Sequence, residues 1–386
     1  MISPTRLYFL DWLRVIAFGL LVFYHTGLIF VDWGFHISND VFSESLKLPM
    51  LFVNQWRLPL LFFVSGAGIY FALGKRTAGM FAKERFIRIF IPLVFGIFVI
   101  VPPQLFFEWR YHEIFKGNYW EFYPLFFQHI TWNHLWFLVY LFMFTFLALP
   151  LFMYLRTDSG RAIISRVTSA LAAKGFIFIL VLPLFLIERW LRDAWPDNRN
   201  LVTDWYNVAF YFVVMIYGYL LASTPKLWTV FEHNRKVYLA IGVISFSLIY
   251  LGWHQSGVNF LETTTGGKYL FDLFKCLNVI AWIFCFLGFS KRYLNKNSSA
   301  LEYLNQAVYP FFILHQTVLI FIGFYVIQLQ ANILSKFSII VAGTFILTLF
   351  IHEFILRRIG SIALLLGLRN KKTEATRIEP SGNVAS

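Results

Sequence analysis

Three ionisable residues stand in the first apolar stretch, L-D-W-L-R-V-I-A-F-G-L-L-V-F-Y-H: Asp11, Arg14 and His25. Charges within a spanning segment are costly, so such residues are functional candidates by default. Asp11 lies three residues before Arg14, within ion-pair reach on a helix. Arg14 and His25 are eleven residues apart. At about 100° per residue they share nearly one face, separated by roughly 16 Å along the axis. One stripe therefore carries a charged pair near one end and an imidazole near the other. An imidazole is suited to moving a proton from a hydroxyl or to forming a covalent relay. His25, Asp11 and Arg14 are the candidate catalytic residues. The competing readings are an arginine snorkelling from a helix end and a buried, hydrogen-bonded histidine.

Other residues extend the candidate site. Arg85 and Arg88 are spaced i, i+3 at the start of the third apolar stretch, in K-E-R-F-I-R-I-F-I-P. Paired guanidinium groups near a helix start suit phosphate, which makes Arg14, Arg85 and Arg88 candidates for holding an anionic ligand. Basic residues also collect there for topological reasons alone. His134 and Trp136, in N-H-L-W-F-L, could line an entrance, although tryptophan is common in interfacial belts. His315 and Glu353 complete the substrate-binding candidates, with an ion pair to a neighbouring arginine as the alternative role for Glu353. Asp272 with Lys275, and Arg57 with Asn54 and Gln55, are further polar residues in apolar surroundings. The histidines show no metal-ligand spacing, and no phosphate loop, zincin helix or dinucleotide fingerprint is present.

The elements that must carry these residues follow from composition. Of 386 residues 59% are hydrophobic, 20% aromatic and only 14% charged, far from the roughly 25% charged of a soluble domain. Soluble enzymes, disordered chains and disulfide scaffolds are excluded. Ten stretches are long and apolar enough to span a bilayer: 8–31, 49–73, 86–107, 135–155, 169–187, 205–222, 237–253, 270–289, 308–328 and 333–356. The fifth is the weakest, because Lys174 and Pro183 interrupt it. The fold class is all-α: a polytopic membrane protein of about ten helices, with one transmembrane domain over 1–368 and a polar tail over 369–386. The first stretch is too long for a cleaved signal peptide. Cys276 and Cys285 read as small core residues. Gly66 and Gly68 favour close helix packing.

The formal net charge is +13. With the N-terminus in the cytoplasm and the helices alternating, the inner segments at Arg6, 75–88, 156–174, 226–236, 291–296 and 357–377 hold 22 of the 33 Lys and Arg. Asp and Glu favour the other side. Both termini are then cytoplasmic, and the charge orients the protein rather than binding nucleic acid.

In this order the motifs resemble those of acyltransferase family 3, a family of integral membrane acyltransferases. The first helix reads Leu10-Asp11, then Arg14, ten residues, and His25. The second ends Pro59-Leu60-Leu61-Phe62-Phe63-Val64-Ser65-Gly66, one residue longer between Pro and Phe-Phe than the family's P-x-F-F-x-x-S-G. The third begins Arg85-x-x-Arg88 followed by Pro92. The elements at His134–Leu138 and His315 also fit. Length and the expected lack of an appended esterase-like domain resemble the glucan-modifying branch. The resemblance implies transfer of an acetyl- or succinyl-type group from cytoplasmic acyl-CoA to a hydroxyl of an extracytoplasmic carbohydrate. Acyl-CoA would be a substrate, with no permanently bound cofactor and no metal. The implied setting is multi-pass in a bacterial-type inner membrane, with the lipid bilayer and a glycan as partners. A homo-oligomer is compatible with it. A transporter or flippase for an envelope glycan or lipid is the competing class, although no symmetry between two halves is visible.

Overall fold

In lipid every backbone amide and carbonyl must pair within its own segment, so long apolar stretches become helices. The computed structural model describes residues 6–173, 176–254 and 264–368, and among these every regular element is helical. In chain order the helices are α1 (Tyr8–Ile29), α2 (Glu44–Leu73), α3 (Ala78–Tyr111), α4 (Tyr119–Phe126), α5 (Asn133–Tyr154), α6 (Asp158–Leu171), α7 (Phe176–Leu191), α8 (Trp205–Ala222), α9 (Pro225–His233), α10 (Arg235–His254), α11 (Thr265–Leu294), α12 (Ser299–Val326), α13 (Ile333–Leu356) and α14 (Gly360–Leu365). Nine described helices, α1, α2, α3, α5, α8, α10, α11, α12 and α13, are long and apolar enough to cross a membrane. The protein is an all-α, polytopic membrane protein.

The expected fifth span, 169–187, is not one straight helix. Its region divides into α6 and α7, bent by 117°, which make a tenth span where the bent pair is counted as one. The cause is local. Thr157 caps α6, its hydroxyl accepting from the Gly160 amide at 3.2 Å. Helix α6 then buries Gly160, Ile164, Thr168 and Leu171 while Arg161 and Arg166 stay exposed. Such a helix has one protein-facing stripe and a polar face. Lys174 and the tail 369–386 lie outside the described residues.

The chain divides into two compact units. The first comprises residues 1–24, 43–82 and 139–305. Its tightest crossing joins α2 to α8. A Cβ on Gly66 would collide with the Met215 carbonyl, and one on Gly218 with the Phe63 carbonyl. The two glycines therefore let the backbones touch, whereas Gly68 faces open space. Elsewhere in this unit three acids and three bases form one network. Lys275 pairs with Glu188 and, at 2.9 Å, with Asp272. Arg189 bonds Asp272 and Asp193, both at 3.0 Å, and Arg192 lies 3.8 Å from Glu188. Asp272 and Lys275 thus belong to a charge-balanced network, which accounts for them without a ligand. Asp204 accepts from the Tyr140 hydroxyl at 2.6 Å and from Asn207. Burial pushes its carboxyl up from the usual carboxylate value. Arg57 is buried with its guanidinium 3.8 Å above the Tyr24 ring, and the Tyr24 hydroxyl donates to Asn54. Cys276 and Cys285 are free and buried.

The second unit comprises residues 25–42, 83–138 and 306–386. Its long helix α3 contains two wider π turns, Phe86–Phe90 and Gly96–Ile100. Pro102 and Pro103 follow the second and carry no amide proton, which strips nearby carbonyls of their helical donors. The Phe98 carbonyl, four residues before Pro102, accepts instead from the Tyr123 hydroxyl at 3.0 Å; the Gln104 amide turns to the Val101 carbonyl, and the Ile100 carbonyl accepts from the Thr317 hydroxyl at 2.7 Å. The segment after α1 is tied down by Asn39, whose amide donates to the Ile29 carbonyl at 2.8 Å. The buried Lys336 ammonium donates to the Asn39 side chain and the Ile327 carbonyl at 2.8 and 2.7 Å.

Candidate active site

The second unit gathers three histidines from three distant parts of the chain. His25 ends the α1 stripe, His134 opens α5 and His315 sits in the middle of α12. His25 Nδ1 lies 3.1 Å from His315 Nε2, and the two rings stack at 5.2 Å with 13° between planes. The His134 ring meets His315 edge-on at 5.3 Å. His315 is fully buried, whereas His25 keeps partial exposure.

The partners fix the protons. His315 Nδ1 is 2.6 Å from the Phe312 carbonyl, which can only accept, so that nitrogen carries a proton. In a neutral ring, His315 Nε2 then holds a lone pair and accepts from His25 Nδ1. The remaining nitrogen of His25, Nε2, is left with its lone pair. An arrangement in which one ring is held in a single tautomer by a second, itself anchored, group is the geometry of an oriented base.

His134 is saturated. Its Nε2 donates to the Ile313 carbonyl at 2.9 Å, and its Nδ1 accepts from the Gln104 amide at 3.3 Å. Gln104 is fully buried and also donates to the Thr317 hydroxyl at 2.7 Å. Its carbonyl accepts from Asn133 and Gln316, at 3.2 and 3.1 Å. Asn133 reaches it from a left-handed backbone, φ +39°, which asparagine tolerates better than most residues. Gln316 in turn donates to His36 Nε2 at 3.0 Å, and His36 Nδ1 pairs with Glu108. Hydrogen bonds run without a break from His134 through Gln104, Gln316 and His36 to Glu108, so the cluster is positioned as a unit.

The structure brings His25, His134 and His315 together, and adds His36, Gln104, Glu108, Gln316 and Thr317, which the sequence did not single out as site residues. Two signals were present: the Pro102-Pro103 pair beside Gln104, and Gln316 directly after His315. Neutral amides inside an apolar stretch carry no charge to draw attention.

The remaining candidates have partners of their own or a place in a helix. Trp136 is buried at the start of α5. Asp11 and Arg14 belong to the first unit. There Arg14 bonds Asp11 at 3.2 Å and the Asn305 side chain, and Arg6 bonds Asp11 at 2.9 Å. Arg85 immediately precedes the first π turn of α3 and Arg88 lies within it. The Arg88 carbonyl accepts from the Tyr309 hydroxyl at 2.8 Å and its guanidinium lies 3.5 Å from Glu84. Sixteen residues separate Arg88 from Gln104, or roughly 20 Å of helix. Glu353, in a π turn at the end of α13, is bonded by Arg357 through both carboxylate oxygens at 2.8 Å.

A helical membrane scaffold holding an oriented imidazole fits acyl transfer, and the comparisons agree. The family model for an acyltransferase domain, acyltransferase family 3, matches residues 7–353. The chain belongs to that family, and it is a membrane-embedded O-acyltransferase. Among its relatives are the Glucans biosynthesis protein C of Escherichia coli O17:K52:H18 (strain UMN026) and that of Escherichia coli strain K12. Each is 23% identical over 337 residues, covering 84% of this chain and 85% of the relative. No solved structure matches the chain significantly.

Proposed function

We propose that this protein moves an acyl group, of the acetyl or succinyl type, from cytoplasmic acyl-CoA to a hydroxyl of an extracytoplasmic glycan, with His25 as general base. The observation that carries the mechanism is the His25–His315–Phe312 carbonyl chain, which supports the His25 tautomer with its proton on Nδ1 and its lone pair on Nε2. In the transfer, Nε2 takes the proton of the acceptor hydroxyl as its oxygen attacks the thioester carbonyl. The tetrahedral intermediate collapses, the carbon–sulfur bond breaks, and the imidazolium returns its proton to the departing thiolate. Ester and free CoA are the products, and His25 is restored.

The glycan acceptor rests on the relatives, whose name concerns glucan biosynthesis. The donor rests on the basic residues Arg14, Arg85 and Arg88, which suit the phosphates of CoA. Asp11, bonded by both Arg6 and Arg14, would hold Arg14 in place. Saturated as it is, His134 is proposed to position His315 and Gln104. Glu108 with His36, and Trp136, are proposed to face the sugar. Both termini lie in the cytoplasm in this reading, and the membrane is a bacterial-type inner membrane.

The test uses membranes supplied with labelled acyl-CoA and assayed for label on glycan. His25→Ala should lose about 10²- to 10⁴-fold of the transfer rate, the usual range for removing a general base. Full transfer by a normally expressed variant would overturn the mechanism.

A further inference from the structure

A cavity of about 530 Å³ opens in the first unit, between the end of α2, helix α6 and the end of α8. It lies outside the histidine cluster and outside every residue discussed above as catalytic. Its walls combine three cations, Lys75, Arg156 and Arg161, with a set of hydroxyls that includes Thr168, Ser223 and Thr224. No carboxylate appears among the described residues lining it.

Several features separate this from basic residues gathered by topology alone. The cations converge on a concavity of ligand size. Arg156 is held by its bond to the Leu73 carbonyl, so one guanidinium is fixed in place by the end of α2. Arg161 is anchored in the same way, donating to the Arg156 carbonyl at 2.6 Å and pairing with Asp158. Neither Lys75 nor Arg156 has a carboxylate within ion-pair distance among the described residues. The hydroxyls are ordered too: Thr224 donates to the Thr168 hydroxyl at 2.8 Å, which donates to the Ile164 carbonyl at 2.8 Å. A second concavity of about 670 Å³ shares Lys75 and Arg156, so those two cations stand on the ridge between them.

Fixed guanidinium forks and an ammonium, with no carboxylate lining the cavity among the described residues and only Arg161 sharing its charge with an acid, Asp158, suit a tetrahedral oxyanion. Apolar walls from Phe71, Leu155 and Ile164 lie beside them. We propose that this cavity is a binding site for a phosphate group, with Lys75, Arg156 and Arg161 as its cationic ligands. The phosphate would come either from an anionic phospholipid headgroup or from a soluble nucleotide.

The full-length protein in phosphatidylcholine nanodiscs allows the test. Two arms are run: doping the nanodiscs with phosphatidylglycerol, and adding adenosine 3′,5′-bisphosphate to undoped ones. Binding is read by native mass spectrometry and by the rise in melting temperature. At least one probe should bind, and Lys75→Gln/Arg161→Gln should weaken it roughly 25-fold, at about fivefold per charge removed. Retention of phosphatidylglycerol assigns the lipid, and retention of the bisphosphate assigns the nucleotide. Should the double variant fail to fold, Lys75→Gln alone should cost about fivefold. Binding of neither probe, or binding unchanged in the variants, overturns the site. The assignment is independent of the transfer chemistry: His25→Ala should bind the same probe normally.

Discussion

His315 surrenders one ring nitrogen to a backbone carbonyl, and that small commitment decides what His25 can do. Without it the His25 ring would be free to take either tautomer, and only one of them leaves Nε2 basic. Replacing His315 with Ala should therefore lower kcat by about 10²- to 10⁴-fold while leaving the KM for acyl-CoA nearly unchanged. His315→Gln, whose amide oxygen can accept the same proton, should recover part of the loss; a purely structural role would show no such rescue. Acid-quenched enzyme incubated with labelled acyl-CoA should carry no label on His25, whereas a covalent relay would leave it there. At this scale the sequence was half legible. His25 stood out because an imidazole on the same stripe as a charged pair is expensive in lipid. His315 stood out as a histidine, but its role depended on a carbonyl three residues earlier and on a ring 290 positions away. Nothing in composition or spacing records that pairing.

At the scale of helices, the apolar stretches located the spans because lipid imposes one solution on them. The exceptions have local causes. The expected span 169–187 is broken rather than straight because residues 158–171 form an amphipathic helix that takes in Ser169, Ala170 and Leu171. Glycine was partly legible: Gly66 and Gly68 both looked like packing residues, yet only Gly66 meets another backbone, and its partner Gly218 lies 152 residues away. Gly66→Ala and Gly218→Ala should each destabilise the protein by about 1–3 kcal/mol, since the clash is with backbone that has nowhere to go. Gly68→Ala, facing open space, should be nearly neutral. Melting temperatures of the three purified variants in one detergent would check both halves of the contrast.

For the whole molecule, the charge of +13 was at first the least expected property of so apolar a chain. Its distribution predicts an orientation, and the two native cysteines are buried and free, which makes the protein a quiet background for thiol labelling. A membrane-impermeant maleimide should modify Asn198→Cys only from outside intact cells, and Ser165→Cys only after the membrane is opened. The opposite pattern would reverse the topology and with it the side from which acyl-CoA arrives. The same orientation gives Arg85 and Arg88 their proposed task. Arg85→Ala or Arg88→Ala should raise the KM for acyl-CoA about tenfold per lost charge-assisted contact with kcat little changed; unchanged donor affinity would remove both from the binding site.

The π turn at Phe86–Phe90 has a further effect. A π turn holds one residue more than the α turn it replaces. Deleting Ile87 would let this turn close to regular α geometry while the residues on either side keep their facing, whereas a deletion from a regular α stretch turns everything beyond it by about 100°. Gln104 and Glu108 would then keep their place beside the histidines. Homologues aligned here with a one-residue gap should therefore be read as lacking the π turn while keeping the register of the residues beyond it. Deleting Ile87 should retain more acyl transfer than deleting Phe142 from the regular helix α5, and equal loss from both would overturn this reading.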